Sequence, residues 1–470
     1  MLAQPVPTRR QFLGLTSTAF AGLALSGCAA TVAGNGSTSG ITGQTIQGYG
    51  PLIPDPAGLF DLPQGFRYQV ISSFGDAMSD GHHVPDRADG MGCFGYDKDR
   101  VLLVRNHELK VGHVKDGALR TAGRTLAGAY DVLDDGSAIP GGTTTMLYNL
   151  KTGRMEQQWL SLTGTIRNCS GGITPWGSWL TCEEDLTRAG QGVKQDHGWV
   201  FEVPARTKGL VEAVPLKDMG RFNHEAVAVD PATGIVYLTE DREDGLLYRF
   251  LPNAKGELAK GGKLQALAFE DSAIRDSRNF SGSTIPVQQR LKARWIDLDS
   301  PHAPDDDLRQ RGAAKGAALF ARGEGIHYGV GGDGRGEVYF CCTSGGPAKL
   351  GQIMRYRLSR FEGQTGEASE PGTLDIFVES TGKAMLDYAD NLTVAPRGHL
   401  IVCEDQYTDV VDNRLRGVTP RGEVYGFARL RTQTELAGAC FSPDGGTMFV
   451  NLYSPGKTLA ITGPWGQFRG

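Results

Sequence analysis

Residues 168–185 read NCSGGITPWGSWLTCEED, with Cys169 near one end and Glu183 and Glu184 near the other. Between them lie a Pro-Trp-Gly turn and a short apolar run. A thiolate among carboxylates suits iron or another transition metal, whereas an all-oxygen set suits a hard cation such as calcium. One such stretch decides little, but the chain repeats it. Glu225 precedes a turn and a strand ending in Glu240-Asp241, and Asn391 precedes one ending in Glu404-Asp405. Glu108 ends a strand that follows Asp89, and Glu324 precedes one ending in Thr343-Ser344.

These residues need elements that bring them together. The stretches GYDKDRVLLVRNHE, TPWGSWLTCEED, DPATGIVYLTED, GDGRGEVYFCCTSG, APRGHLIVCED and SPDGGTMFVNLYS form six copies of one turn-and-strand unit. The fourth and sixth end without acid. Each copy is flanked by further short runs of alternating apolar and polar residues, which indicates antiparallel strands between Gly-rich turns. Six units of about four strands predict an all-β fold, a six-bladed β-propeller with the innermost strands lining a central channel. A pair of sandwiches or a β-helix would satisfy the periodicity less well, because one unit lacks a core until it is stacked on its neighbours. In an antiparallel hairpin the start of the first strand lies beside the end of the second. The carboxylates, the amide and the thiol are therefore expected on one channel rim. Converging acids repel, and bound cations relieve that repulsion directly.

Composition narrows the function classes. The chain has 470 residues, 66 of them Gly, and a formal net charge of −5. No basic face for nucleic acid is expected. Thr8-Arg9-Arg10-Gln11-Phe12-Leu13 before an apolar run to Leu25 reads as a twin-arginine export signal, too short to span a membrane comfortably. Leu25-Ser26-Gly27-Cys28 resembles a lipoprotein processing box, so Cys28 is a candidate lipid anchor. The expected organisation is a signal peptide over 1–30, a Gly/Ser/Thr-rich tether over 31–54 and one propeller over 55–470. The expected location is the periplasm or the outer face of the membrane, reached through the twin-arginine translocase. The seven further Cys, without a C-x-x-C pair, argue against a disulfide framework. The chain is expected to be a monomer.

NCSGGITPWGSWLTCEED, GRFNHEAVAVDPATGIVYLTEDR, ARGEGIHY, ADNLTVAPRGHLIVCED and the terminal GPW together resemble the PhoX-type alkaline phosphatases over most of the chain after about residue 55. The resemblance implies twin-arginine export and a six-bladed propeller. It also implies a calcium and ferric iron cluster in the channel, and hydrolysis of phosphate monoesters that yields inorganic phosphate. Carried over residue by residue, it implies Cys169, Glu225 and Glu324 as iron ligands. Glu184, Glu240, Asp241, Asn391, Glu404 and Glu108 become calcium ligands, and Arg322 the phosphate-binding arginine. The chain is shorter than the larger members of that family.

Competing readings remain at this level. Cys169 suits a tight Gly-Gly turn as a buried small residue. Glu225 and Glu240 suit salt bridges with Arg221 and Arg242. His107 and His224 alternate away from the acids that follow them. Asp305-Asp306-Asp307 precedes a short helical stretch and reads as its N-terminal charge rather than a metal loop. At the level of the whole protein, two alternatives stand. One is a calcium-dependent propeller hydrolase of lactones or other phosphoesters, and the other a non-catalytic surface-binding lipoprotein.

Overall fold

The computed structural model describes residues 45–120, 123–282, 284–406 and 408–469. The expected export signal, Cys28 and most of the tether lie outside them. Among the described residues the fold is all-β and propeller-like, with a single α-helix at Leu308–Ala314. That helix follows Asp305-Asp306-Asp307. Asp306 and Asp307 precede its first turn and pair with Arg309 and Arg311 at 2.9 Å each, so they meet side chains of the helix rather than its backbone end.

All six expected hairpins form, each from Gly-rich turns between alternating strands. Their inner strands are Ala88–Gly95, Asn168–Ile173, His224–Val229, Gly323–Val330, Ala389–Val394 and Leu436–Phe441. Each packs beside the next, and the last packs beside the first. The closeness has a sequence cause. A Cβ on Gly90 would stand 2.6 Å from the Ser170 Cα, and one on Gly325 would stand 2.7 Å from the Asn391 Cα. Only glycine admits the neighbouring backbone there.

Hydrogen bonding groups the strands into five sheets rather than six. The third and fourth hairpins share one nine-stranded sheet, because Leu291–Asp297 pairs with Thr373–Glu379 between them. The core lies between successive units. Tyr237, Phe320, Ile326, Phe340 and Ile376, for example, are all buried in one cluster. Burying each such side chain stabilises by about 2 kcal/mol before chain entropy is counted.

The ring closes with chain from the N-terminus. Arg67–Ser73 pairs with Lys457–Thr462 as the outer strand of the last unit. The chain joins the fold earlier than residue 55. Thr45 bridges Val424, Leu52–Ile53 pairs with Phe60–Pro63, and Tyr49 packs among Phe66, Phe427, Trp465 and Phe468. Composition alone made this stretch look like linker, whereas its aromatic and apolar residues dock. No disulfide joins the seven described cysteines.

Candidate metal centre

Five inner strands carry the same local device. After the first paired residue the register slips, so two inner-strand residues oppose one on the partner strand. The slip falls at Ala88/Met91, Asn168/Gly171, His224/Val227, Gly323/Ile326 and Ala389/Leu392. Such bulges re-aim side chains and cluster near functional sites. The first residue of each is Asp89, Cys169, Glu225, Glu324 and Asp390, every one a metal-ligating type and every one buried. The sixth bulge lies one residue later, at Gly438-Ala439, and brings no such group.

A second position completes the rim. Glu108, Glu184, Asp241 and Asp405 each follow the paired end of a second strand. Each donates its N–H to the carbonyl just before an inner strand, at 3.0, 2.9, 3.2 and 3.0 Å. The resulting groups form a chain across the channel: Asp89–Glu108–Cys169, Cys169–Glu184–Glu225, Glu225–Glu324–Asp390 and Asp390–Asp405–Glu435. Within each, one ligand atom per residue lies within 4.8 Å of the others.

The structure thus brings Cys169, Glu108, Glu184, Glu225 and Glu324 together, as the spacing requires. It does not bring Glu240, Asp241, Asn391 or Glu404 into these groups. Glu240 and Glu404 are the paired residues themselves, opposite His224 and Ala389, so alternation turns them into the blades. Glu240 accepts from the Tyr248 hydroxyl at 2.7 Å, and Glu404 accepts from the Arg416 Nε at 2.7 Å. Burial raises both carboxyls to about 7 against those partners. Asp241 reaches the rim but pairs with Arg322, at 2.7 Å to its Nε. Asn391 is a second bulge residue, and its Nδ2 donates across the channel to Ser170 Oγ at 3.0 Å.

Asp390, Asp405, Glu435 and Asp89 were not among the expected ligands, although Asp89 and Asp405 were expected as neighbours. One signal marks four of the five bulge positions: a ligating residue followed by a small one, as in Asp89-Gly90, Cys169-Ser170, Glu225-Ala226 and Glu324-Gly325. Asp390-Asn391 departs from it.

Two arginines touch the groups. Arg322 donates to Glu324 at 2.7 Å as well as to Asp241. Arg167 donates from Nε to Glu108 at 2.8 Å and pairs with Glu184. Both precede a bulge by two residues, and both adopt positive φ, 56° and 50°. Non-glycine residues in that conformation are uncommon and concentrate at functional sites.

The converging acids load the centre of the fold electrostatically. Burial raises the Glu225 carboxyl well above its ordinary range, and Glu324, Glu184, Asp390 and Asp89 raise it further. Burial likewise raises the Cys169 thiol, with Asp89 and Glu225 adding to it. The thiol donates toward Asp89 at 3.6 Å. Glu225 Oε2 is buried and meets no hydrogen-bond donor among the described residues. A buried carboxylate oxygen with nothing to meet it, amid four further acids, fits a cation. His107 and His224 stay out of the groups. His107 bonds the Asp86 carbonyl and Thr144, and His224 bonds the Gly220 carbonyl.

An all-β, propeller-like scaffold whose inner strands converge carboxylates and a thiol defines a class of proteins with the residues to hold cations at its centre. The comparisons narrow the class. The family profile of alkaline phosphatase PhoX matches residues 47–456. The chain belongs to that family and is an alkaline phosphatase. Among solved structures it is similar to Pseudomonas fluorescens PhoX in complex with vanadate, a transition-state analogue. The TM-score is 0.64 at 19% identity, covering 90% of this chain and 97% of that one. A gluconolactonase from Xanthomonas campestris shows a TM-score of 0.41 at 12% identity, covering 88% and 98%. No curated protein matches the chain.

Proposed function

We propose that the channel groups hold a mixed cluster of calcium and ferric iron with which the chain hydrolyses phosphate monoesters, and that the scaffold is six-bladed. The observation that carries the cluster is the convergence of Cys169, eight carboxylates, all but Glu435 buried, and the unmet Glu225 oxygen in one linked set of groups. The closed succession of six inner strands supports the blade count.

Iron is assigned to the soft donor Cys169 with Glu225 and Glu324. Calcium is assigned to the oxygen donors flanking them, Glu108, Glu184, Asp390, Asp405 and Glu435. Bound there, such cations supply Lewis acidity that polarises a phosphoryl oxygen. The chain's own residues do the rest. Glu225 belongs to two groups and couples them. Arg322 presents a planar fork suited to two phosphoryl oxygens, and its carboxylate partners aim it along the rim. Asn391, hydrogen-bonded to Ser170, ties two facing inner strands together beside the groups.

Export by the twin-arginine translocase would place the reaction outside the cytoplasmic membrane, with Cys28 as a lipid anchor and inorganic phosphate as the product scavenged. Elemental analysis of protein from the exported fraction, alongside nitrophenyl phosphate turnover, tests the reading. Calcium and iron with turnover are expected. Metal-free protein with full turnover would overturn it. Lactone hydrolysis without monoester turnover would favour the calcium-only alternative. Replacing Arg9 and Arg10 with Lys should retain the protein in the cytoplasm.

A further inference from the structure

The rim position occupied by carboxylates in four units is a threonine in the fourth. Thr343 donates its N–H to the Arg322 carbonyl at 3.1 Å, just as Glu108, Glu184, Asp241 and Asp405 donate to the residues before their own inner strands. The sixth unit has Tyr453 there, and its hydroxyl is engaged by Glu108 at 2.5 Å. Thr343 is different. Its Oγ1 is buried and meets no hydrogen-bond partner among the described residues, and the same is true of the adjacent Ser344 Oγ. Their residues are 0% and 8% exposed. Buried hydroxyls are ordinarily satisfied, so two adjacent ones without partners point to a missing acceptor. The turn is held by Gly345 N–H donating to the Cys342 carbonyl at 3.0 Å, so the hydroxyls sit on a fixed frame.

The charge pattern names the acceptor. A rim carboxylate, whether it holds a cation or an arginine, offers a phosphate dianion no hydrogen-bond donor. The fourth unit is the one place where hydroxyl donors replace the acid beside an arginine. We propose that Thr343 and Ser344 are phosphate-contacting residues, donating to phosphoryl oxygens of a monoester held by Arg322. This rests on the phosphatase reading above and extends it. It also accounts for the missing acid at the end of FCCTSGG: a carboxylate there would replace the donors beside Arg322 with a negative charge.

The test uses the metal-loaded full chain and three readouts: metal content, KM against kcat for nitrophenyl phosphate, and inhibition by inorganic phosphate. T343V keeps shape and removes the hydroxyl, and S344A does the same for its neighbour. Both should keep wild-type metal content. Phosphate inhibition should weaken about ten-fold in each, or ~1.4 kcal/mol, with KM rising. T343S should stay within about two-fold of wild type. T343D should retain the metals and abolish phosphate inhibition. Unchanged inhibition and KM in the T343V/S344A double variant, at wild-type metal content, would overturn the proposal while leaving the phosphatase reading intact. A wild-type protein that neither binds phosphate nor turns over monoesters would overturn both. Should T343V fail to fold, S344A alone carries the comparison, and unchanged phosphate inhibition in it overturns the assignment.

Discussion

Replacing Glu225 with Gln should act in opposite directions with and without cations. Glu225 shares two groups, so its carboxylate faces Glu184, Glu324 and Asp390, with ligand atoms within 4.8 Å. Two full charges at that separation repel by about 3 kcal/mol at an effective dielectric of 20. Three such pairs sum to about 10 kcal/mol, comparable to the whole stability of an ordinary domain. Burial and these neighbours raise the Glu225 carboxyl well above its ordinary range, which favours its protonated form after chelation. That proton has a cost that depends on pH. Below the ordinary value of 4.5 the folded and unfolded chains both hold it. Above that, the unfolded chain releases it before the folded chain does, so stability falls as pH rises. At pH 8.5 the loss is at most about 5 kcal/mol, from 1.36 kcal/mol per pH unit. E225Q removes it. Chelator-treated E225Q should therefore melt above chelator-treated wild type at pH 8.5, by up to about 5 °C, and close to it at pH 5. The metal-loaded variant should lose iron and fall at least about 100-fold in nitrophenyl phosphate turnover. Calorimetry across pH, with elemental analysis, reads both. If E225Q melts lower than wild type after chelation at pH 8.5, or keeps full iron and activity, the argument that this channel is a repulsive site relieved by cations is refuted.

Cys169→Ser preserves size but removes the soft donor. Iron and visible absorbance should disappear and turnover should fall by orders of magnitude, whereas calcium, held by oxygen ligands, should fall less. Arg322→Lys keeps the charge but loses the fork. Metal content should hold, while turnover and phosphate inhibition weaken by about ten-fold or more. His197 is fully buried between Glu183, at 2.6 Å, and Asp131, at 3.3 Å. Burial lowers its basicity, but the two carboxylates outweigh burial and raise it above 6.5. Its charged contribution is complete below 6.5 and lost as pH rises through the raised value. H197Q should thus destabilise by about 2 kcal/mol at pH 6 and by less at pH 9, measured by denaturant unfolding.

Much was legible in the chain because it is written locally. A turn, an alternating run and a terminal acid are short-range signals, so six hairpins and their shared rim follow from sequence spacing. So does the partnership of Cys169 with Glu184, since each lies at the start or end of a recognisable strand, whereas Glu225 with Glu324 was implied only by the family resemblance. The clash of Glu240 with Asp241, and of Glu404 with Asp405, as rim candidates was not resolvable the same way. One residue of register decides which side chain faces the channel. That register is fixed by pairing across the hairpin, where Glu240 sits opposite His224 and Glu404 opposite Ala389.

What the sequence by itself determined, then, is the repeating all-β unit, the residue types that could ligate, and the family to which the chain belongs. The tertiary structure alone decided which acids meet. Asp390 faces the cluster and Asn391 does not because a bulge inserts one residue into the inner strand, and no propensity within YADNLTV announces it. It alone also joined the N-terminal strand Arg67–Ser73 to Lys457–Thr462, nearly four hundred residues away. Both are matters of hydrogen-bond partners distant in sequence. A strand's own residues state that it will pair and which face is apolar, whereas its partner and offset depend on closing the whole ring.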